Sequence, residues 1–181
     1  MIVTPGSLEY NSNMELDKQA LAFGSLMNNV LSLEFLIRAF LLEAEGNPED
    51  LSLKEGKLYE LNEGDEIPLN AFTRDKYFGQ VVKKYNENTR IKEEGLSIDN
   101  TVVDIRNALA HGMIFGLRTS PPLKLLHFSK ERNKVRVKLN VLMTIDWFNE
   151  QIRQVRLATD NVEEAIRLVE IERGKRPQSR V

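Results

Sequence analysis

The stretch DIRNALAHGMIF, residues 104–115, decides the fold class, because the period of its hydrophobic residues changes from helical to alternating. A helix is predicted to start near Ser97 or Asp99, both good N-caps, and to stop at Gly112, a good C-terminal glycine. The following runs MIFGLRT, LKLLHFSK and KVRVKLNVL alternate and are rich in β-branched residues. They predict a small antiparallel sheet whose last turn lies within residues 130–133.

The longest helical pattern runs from a capping residue, Asn13, to Gly46 and is apolar nearly all round. A helix of this kind is buried on more than one side. Two interpretations are open for what covers the second buried side of this helix. Either another copy of the chain covers it, or the helix is the centre of a monomeric bundle.

Two further helices are predicted, from about Thr73 to Asn86 and from a cap at Thr144 through Val169. An acidic, glycine-punctuated connector occupies residues 43–66. The elements together predict a mainly α fold: a four-helix up-and-down bundle with a small antiparallel β-hairpin insertion before the last helix. We expect a single domain over residues 1–173, with the insertion at about 113–143, and a basic, disordered tail at 174–181.

The composition limits the possible functions. The chain has 181 residues and a formal net charge of −2, so any nucleic-acid surface must be local. It has no cysteine, two histidines and no H-E-x-x-H helix, so we predict no metal site and no cofactor. The N-terminus lacks a signal-peptide pattern, and the apolar stretch from Val30 to Leu42 is interrupted by Glu34 and Arg38. A cytoplasmic protein without a membrane-spanning helix is therefore expected.

The predicted third helix separates polar from apolar residues. At about 100° per residue, its core-facing side carries Val102, Ile105 and Leu109. Its opposite side carries Asp104, Asn107 and His111. Arg106 lies at the edge of the apolar side, about 140° from His111. Two arrangements would bring these two residues together: the arginine curls past Ala110, or two copies of the helix complete a site between chains.

The pattern R-N-x-x-x-H on a helix of a small α-bundle resembles the HEPN superfamily, in particular its uncharacterised bacterial members. The family signature is an arginine, a polar residue and, a few positions later, a histidine, here Arg106, Asn107 and His111. The resemblance implies a homodimeric, metal-independent endoribonuclease. It also implies that Arg106 binds the scissile phosphate, that His111 acts as acid or base, and that Asn107 orients them.

The resemblance further implies a toxin–antitoxin or phage-defence setting, with an antitoxin or another protein as partner. Some members carry, two places after the histidine, a tyrosine that a nucleotidyltransferase antitoxin modifies. Met113 stands at that position here, so the chain departs from that pattern. Because many members are non-catalytic, two other functions stay open. One is a dimeric interaction or regulatory module, and the other is an accessory to a transcription regulator.

Each residue of the motif also has an ordinary structural role. A histidine in the last turn of a helix interacts well with the helix dipole and with free carbonyls, and an arginine commonly pairs with a neighbouring helix. Asn107 could be a plain solvent-facing residue. Asp104, on the side of His111, could support the histidine or be a surface charge.

A second basic feature bears on the substrate. Between residues 118 and 138 the one acidic residue is Glu131, and the cations are Arg118, Lys124, Lys130, Arg132, Lys134, Arg136 and Lys138. Alternation predicts Lys134, Arg136 and Lys138 on one face of a strand. With Arg118 these three are the candidate RNA-binding residues, because such patches bind phosphate backbones. The alternative, a solvated edge strand protected by charges, is the more common use of such residues.

Overall fold

A computed structural model describes residues 5–45, 60–66, 70–74, 77–116 and 122–175. In these ranges the chain is mainly helical and carries one three-stranded antiparallel sheet. The helices are α1 (Pro5–Glu45), α2 (Phe78–Glu87), α3 (Thr89–Glu93), α4 (Thr101–His111) and α5 (Ile145–Lys175). The strands are β1 (Met113–Phe115), β2 (Lys124–Glu131) and β3 (Lys134–Leu142).

The mainly helical class and the antiparallel sheet before the last helix are confirmed. The described ranges contain five helices, so the four-helix bundle is not confirmed. The predicted second helix, from about Thr73 to Asn86, corresponds to α2 alone, which begins later, at Phe78. Helix α3 lies beyond the predicted helix, and Asn88 separates it from α2 with an extended backbone of φ −61° and ψ 131°. The Asn88 side chain then accepts a hydrogen bond from the N–H of Arg90, which caps the start of α3.

Helix α1 begins at Pro5, so the predicted cap Asn13 lies inside the helix. A proline is well suited to the first turn, where its missing N–H has no helical partner to lose. The fully buried stripe of α1 consists of Leu26, Val30, Leu33, Ile37 and Phe40. Leu21 and Leu31 are 75% and 56% exposed. Within one chain, α1 is therefore not buried on nearly all of its sides.

The residues Glu15–Ala44 of α1 are long and apolar enough to cross a bilayer by length and composition, and only 22% of the most apolar window is buried. This differs from the expectation that Glu34 and Arg38 make the stretch too charged. Those two side chains form an ion pair with a 2.7 Å N–O distance. Core helices of soluble proteins meet the same criterion, and no second helix in the described ranges does. The cytoplasmic location therefore stays a prediction.

The chain divides into two compact units, one formed by residues 1–31 and 101–156 and the other by residues 32–100 and 157–181. The long helices α1 and α5 each contribute to both units. The first unit contains the sheet and α4. The second contains α2 and α3.

In the first unit β2 is the central strand, with β1 and β3 antiparallel on either side, and α4 packs against β2. The hairpin turn is Arg132–Asn133, within the predicted range, and Arg132 holds a φ of +50°. For a residue other than glycine this left-handed conformation costs about 1–2 kcal/mol. The buried apolar residues of the unit are Leu26, Val30, Val102, Ile105, Ala108, Leu109, Leu125, Met143, Phe148 and Val155.

One buried polar side chain links α1 to the sheet. Gln19, which is 5% exposed, donates through Nε2 to the carbonyl of Met143 at 3.1 Å. Its Oε1 accepts from the N–H of Leu123 at 3.3 Å. Because an unpaired buried amide would cost about 1–3 kcal/mol, these bonds favour one position of α1 relative to the ends of β2 and β3.

In the second unit Tyr85 connects α2 to two other segments. Its hydroxyl lies within hydrogen-bonding distance of the carbonyls of Leu96 at 3.0 Å and Asn161 at 3.3 Å. Burial raises the pKa of this hydroxyl well above its ordinary value. The Phe40 ring of α1 packs edge-on against the Tyr85 ring, with centroids 5.0 Å apart. These contacts join the apolar end of α1 to α2 in one core.

The start of α5 is as predicted, since Thr144 caps it by accepting a hydrogen bond from the N–H of Trp147 at 3.1 Å. The helix continues to Lys175, so its last two residues lie in the segment that was predicted as a disordered tail, 174–181. The rest of the predicted tail, residues 176–181, lies outside the described residues. Most of the acidic connector, residues 46–59, also lies outside them.

Candidate functional site

Helix α4 carries the motif on its C-terminal half. Its buried side consists of Val102, Ile105, Ala108 and Leu109, which confirms the predicted core-facing residues. Asp104 and His111 are exposed, whereas Arg106 and Asn107 are half-buried. The amphipathic arrangement of the helix therefore leaves the polar residues at or near its surface.

His111 is the last residue of α4, and β1 begins two residues later at Met113. Its exposed imidazole is open to a substrate or to a second chain. Asn107 precedes it by one helical turn, and in the described part of the chain no hydrogen bond joins the two side chains. Asn107 and His111 can therefore act together only when a ligand or a partner chain binds to both.

Arg106 is half-buried and already has a polar or electrostatic partner in the structure. On a straight helix its direction differs from that of His111 by about 140°. A single α4 therefore does not present Arg106 and His111 on one face. Two α4 helices that face each other could do so.

Asp104 lies in the first turn of α4 and is exposed, two turns before His111. This position is compatible with support of the histidine and with a simple surface charge. Within the described ranges, no three histidine, aspartate or glutamate side chains lie close enough together to hold a metal ion.

Gly112 follows His111 and has a different role from the one predicted. It does not adopt a positive φ, so it is not a left-handed helix cap. Instead its backbone passes close to β2. A Cβ at this position would lie 2.2 Å from the carbonyl oxygen of Ala108, 2.8 Å from Cδ1 of Leu125 and 2.9 Å from the carbonyl oxygen of Leu126. Only glycine fits, and the close approach fixes the end of α4 that carries His111.

The basic strand β3 departs from simple alternation. In the register with β2, Val137 pairs with Phe128 and Leu139 pairs with His127, which leaves Lys138 as an extra residue in a bulge. The register therefore places Lys134 and Arg136 on one face of the strand, whereas the bulge assigns Lys138 to neither face, so its place on that face stays a prediction. All three are exposed. The fourth candidate, Arg118, lies outside the described residues.

A further surface feature was not predicted. Antiparallel pairing places five apolar side chains on one face of the sheet, where each is at least 47% exposed: Met113, Phe115, Val135, Val137 and Leu142. The signal was present in the sequence, since Val135 and Val137 alternate with cations on an expected edge strand. Apolar patches on a sheet face commonly mark a binding surface.

No family model, curated protein or solved structure matches the chain. The likeness to HEPN proteins therefore rests on Arg106, Asn107 and His111 and on their helix, and what it implies is a proposal.

Proposed function

We propose that the protein is a metal-independent endoribonuclease of the HEPN type, which acts as a cytoplasmic homodimer in a toxin or phage-defence role. One observation carries the proposal: the end of α4 bears an exposed His111, with Asn107 one turn earlier and a half-buried Arg106 beside it. An antitoxin or another protein would control such an activity.

The proposed chemistry uses the 2′-hydroxyl of RNA as the nucleophile. Histidine is the side chain that most readily serves as acid or base near neutral pH. His111 takes the proton of the 2′-hydroxyl, whose oxygen forms a bond to the adjacent phosphorus. The bond between phosphorus and the 5′-oxygen breaks, and the leaving oxygen takes a proton from an imidazolium. The products are a 2′,3′-cyclic phosphate and a 5′-hydroxyl.

Arg106 would bind the phosphate in this reaction. A planar guanidinium matches two phosphate oxygens and stabilises the charge that builds up as the new bond forms. Because Arg106 and His111 point about 140° apart on one helix, we place the site between two α4 helices. Each site then takes its arginine from one chain and its histidine from the other. Asn107 orients the imidazole or the phosphate.

The cations of β3 would add local attraction for RNA to a chain with a net charge of −2. Lys134 and Arg136 share one face of the strand, and Lys138 adds a third exposed charge at the bulge. Arg118 completes the proposed RNA-binding set.

The proposal is tested with an RNA strand and a matched strand that carries a 2′-deoxynucleotide at each position that the enzyme cuts. In EDTA we expect the RNA to be cleaved to cyclic-phosphate ends and the deoxy-substituted strand to stay intact, because it lacks the nucleophile. Cleavage of both strands at the same positions would contradict the mechanism. Cleavage that EDTA abolishes would contradict its independence of metal.

A second candidate function is a non-catalytic dimeric interaction or regulatory module. The uncovered apolar face of the sheet, which includes Val135 at 67% exposure, favours it. This function predicts no cleavage of any RNA by a folded dimer. It also predicts a protein partner whose binding survives the change His111→Ala.

A further inference from the structure

The tip of the β2–β3 hairpin combines an unusual backbone with an unusual residue. Glu131 pairs with Lys134, so Arg132 and Asn133 form a two-residue turn. Arg132 has a φ of +50°, in the left-handed region that glycine, asparagine and aspartate occupy in such turns. A strained residue of this kind is held by the structure around it, and such residues cluster at functional sites.

A cleft of about 540 Å³ opens beside this turn. Its apolar walls come from Phe128 and Val135, and its charged walls come from Lys130, Arg132 and Lys134. The cleft is a shallow depression that is open to solvent, so it suits one unit of a polymer that lies across the surface.

The three cations of the cleft lie within five residues of the sequence and are exposed. In the described part of the chain, no ion pair involves Lys130, Arg132 or Lys134. Glu131 lies between Lys130 and Arg132 in the sequence and pairs with Lys134 across the turn, so the hairpin tip carries three cations and one carboxylate. The net positive charge that remains attracts an anion.

We propose that the hairpin-tip cleft, lined by Phe128, Lys130, Arg132, Lys134 and Val135, binds one nucleotide of single-stranded RNA. Its base lies against Phe128 and Val135, and its phosphate lies beside Lys130, which shares their face of the hairpin, and Arg132 at the turn. Aromatic and apolar surface beside cations is the combination with which proteins bind single strands without base pairing. The choice of RNA rests on the proposed function, but binding at this cleft does not require cleavage.

The test measures the affinity of a fluorescently labelled single-stranded oligoribonucleotide by anisotropy over a series of salt concentrations. His111→Ala serves as the parent protein, so that the RNA is not cut. The variant is Arg132→Gly, which removes the guanidinium and fits the left-handed backbone, so the fold is retained. Arg156→Ala, which removes an exposed arginine from α5 of the same unit, is the matched control for charge.

We expect Arg132→Gly to weaken RNA binding about tenfold at low salt. The slope of log affinity against log salt should fall by about one. Arg156→Ala should change neither quantity. Equal affinity and slope in the parent and in Arg132→Gly would overturn the proposal, and so would equal weakening by both variants. Adenosine monophosphate that binds the cleft while the oligoribonucleotide does not would overturn the assignment to RNA.

The two proposals can fail separately. If the wild type cleaves RNA but Arg132→Gly leaves binding unchanged, the cleft proposal is wrong and the proposed function stands. If the wild type cleaves no RNA but binding depends on Arg132, the cleft proposal stands without the catalytic one.

Discussion

The His111→Ala variant should cleave RNA about 10²- to 10⁴-fold more slowly than the wild type, which is the usual contribution of a positioned general acid or base. His111 is exposed at the end of α4, so its removal takes no side chain from the core. We therefore expect the melting temperature and the dimer to be unchanged. The rate is measured on labelled RNA in EDTA, with the oligomer sized by light scattering.

The matched control is His127→Ala, which removes the other histidine of the chain. His127 lies on β2 and is half-buried, away from the motif helix in sequence. Its replacement should leave the cleavage rate within a few-fold of the wild type below the melting temperature. Equal rates for His111→Ala and wild type would remove His111 from the mechanism.

The second large effect is on stability. Gly112→Ala should destabilise the fold by about 3 kcal/mol, since overpacking against rigid neighbours costs about 1–3 kcal/mol and sometimes more. Two of the three atoms that the new Cβ would meet are backbone carbonyl oxygens, which cannot rotate away. For a chain of this size the change corresponds to a fall in melting temperature of about 6–12 °C. Thermal unfolding followed by circular dichroism measures it.

Gly24→Ala is the control for this substitution. Gly24 lies within α1, and a Cβ there would meet nothing within 4 Å. Alanine favours a helix over glycine by about 1 kcal/mol, so Gly24→Ala should hold or raise the melting temperature. If Gly112→Ala unfolds at the temperature of the wild type, the close approach of α4 to β2 is not the reason for the glycine.

Periodicity in the sequence was sufficient to predict several features of the first unit. The apolar residues of α4, the turn at 132–133 and the cap at Thr144 are as expected, because each depends on neighbours close in sequence. Gly112 was predicted as a cap of α4, but the structure requires a glycine there because the backbone lies close to β2. A sequence signals that a glycine ends a helix, but its contact with β2 depends on the tertiary structure.

Other features depend on contacts that periodicity does not contain. Gln19 looks like a surface residue of a helix, yet it is buried and bonds to segments more than a hundred residues away. The bulge at Lys138 shifts the phase of β3 within an otherwise regular alternation. Helix α3 lies outside the predicted helices, and it begins where the Asn88 side chain caps it by accepting from the N–H of Arg90.

The candidate site was predictable only in part. The exposure of His111 follows from the helical wheel, as does the position of Arg106 at the edge of the buried side. The sequence does not reveal how two chains meet, so the juxtaposition of Arg106 with His111 stays a proposal. The apolar sheet face with Val135 and Val137 does not follow from the sequence pattern, because the cations between them dominate it.

The most direct test of the central claim is cleavage of labelled RNA, in EDTA, by a mixed dimer of one Arg106→Ala chain and one His111→Ala chain. Differently tagged chains are co-expressed, and the mixed dimer is purified through both tags. A site built from two chains predicts that each parent dimer is inactive and that the mixed dimer regains up to about half of wild-type activity, because one of its two sites is intact. A mixed dimer as inactive as both parents, beside an active wild type, would contradict a site shared between two α4 helices.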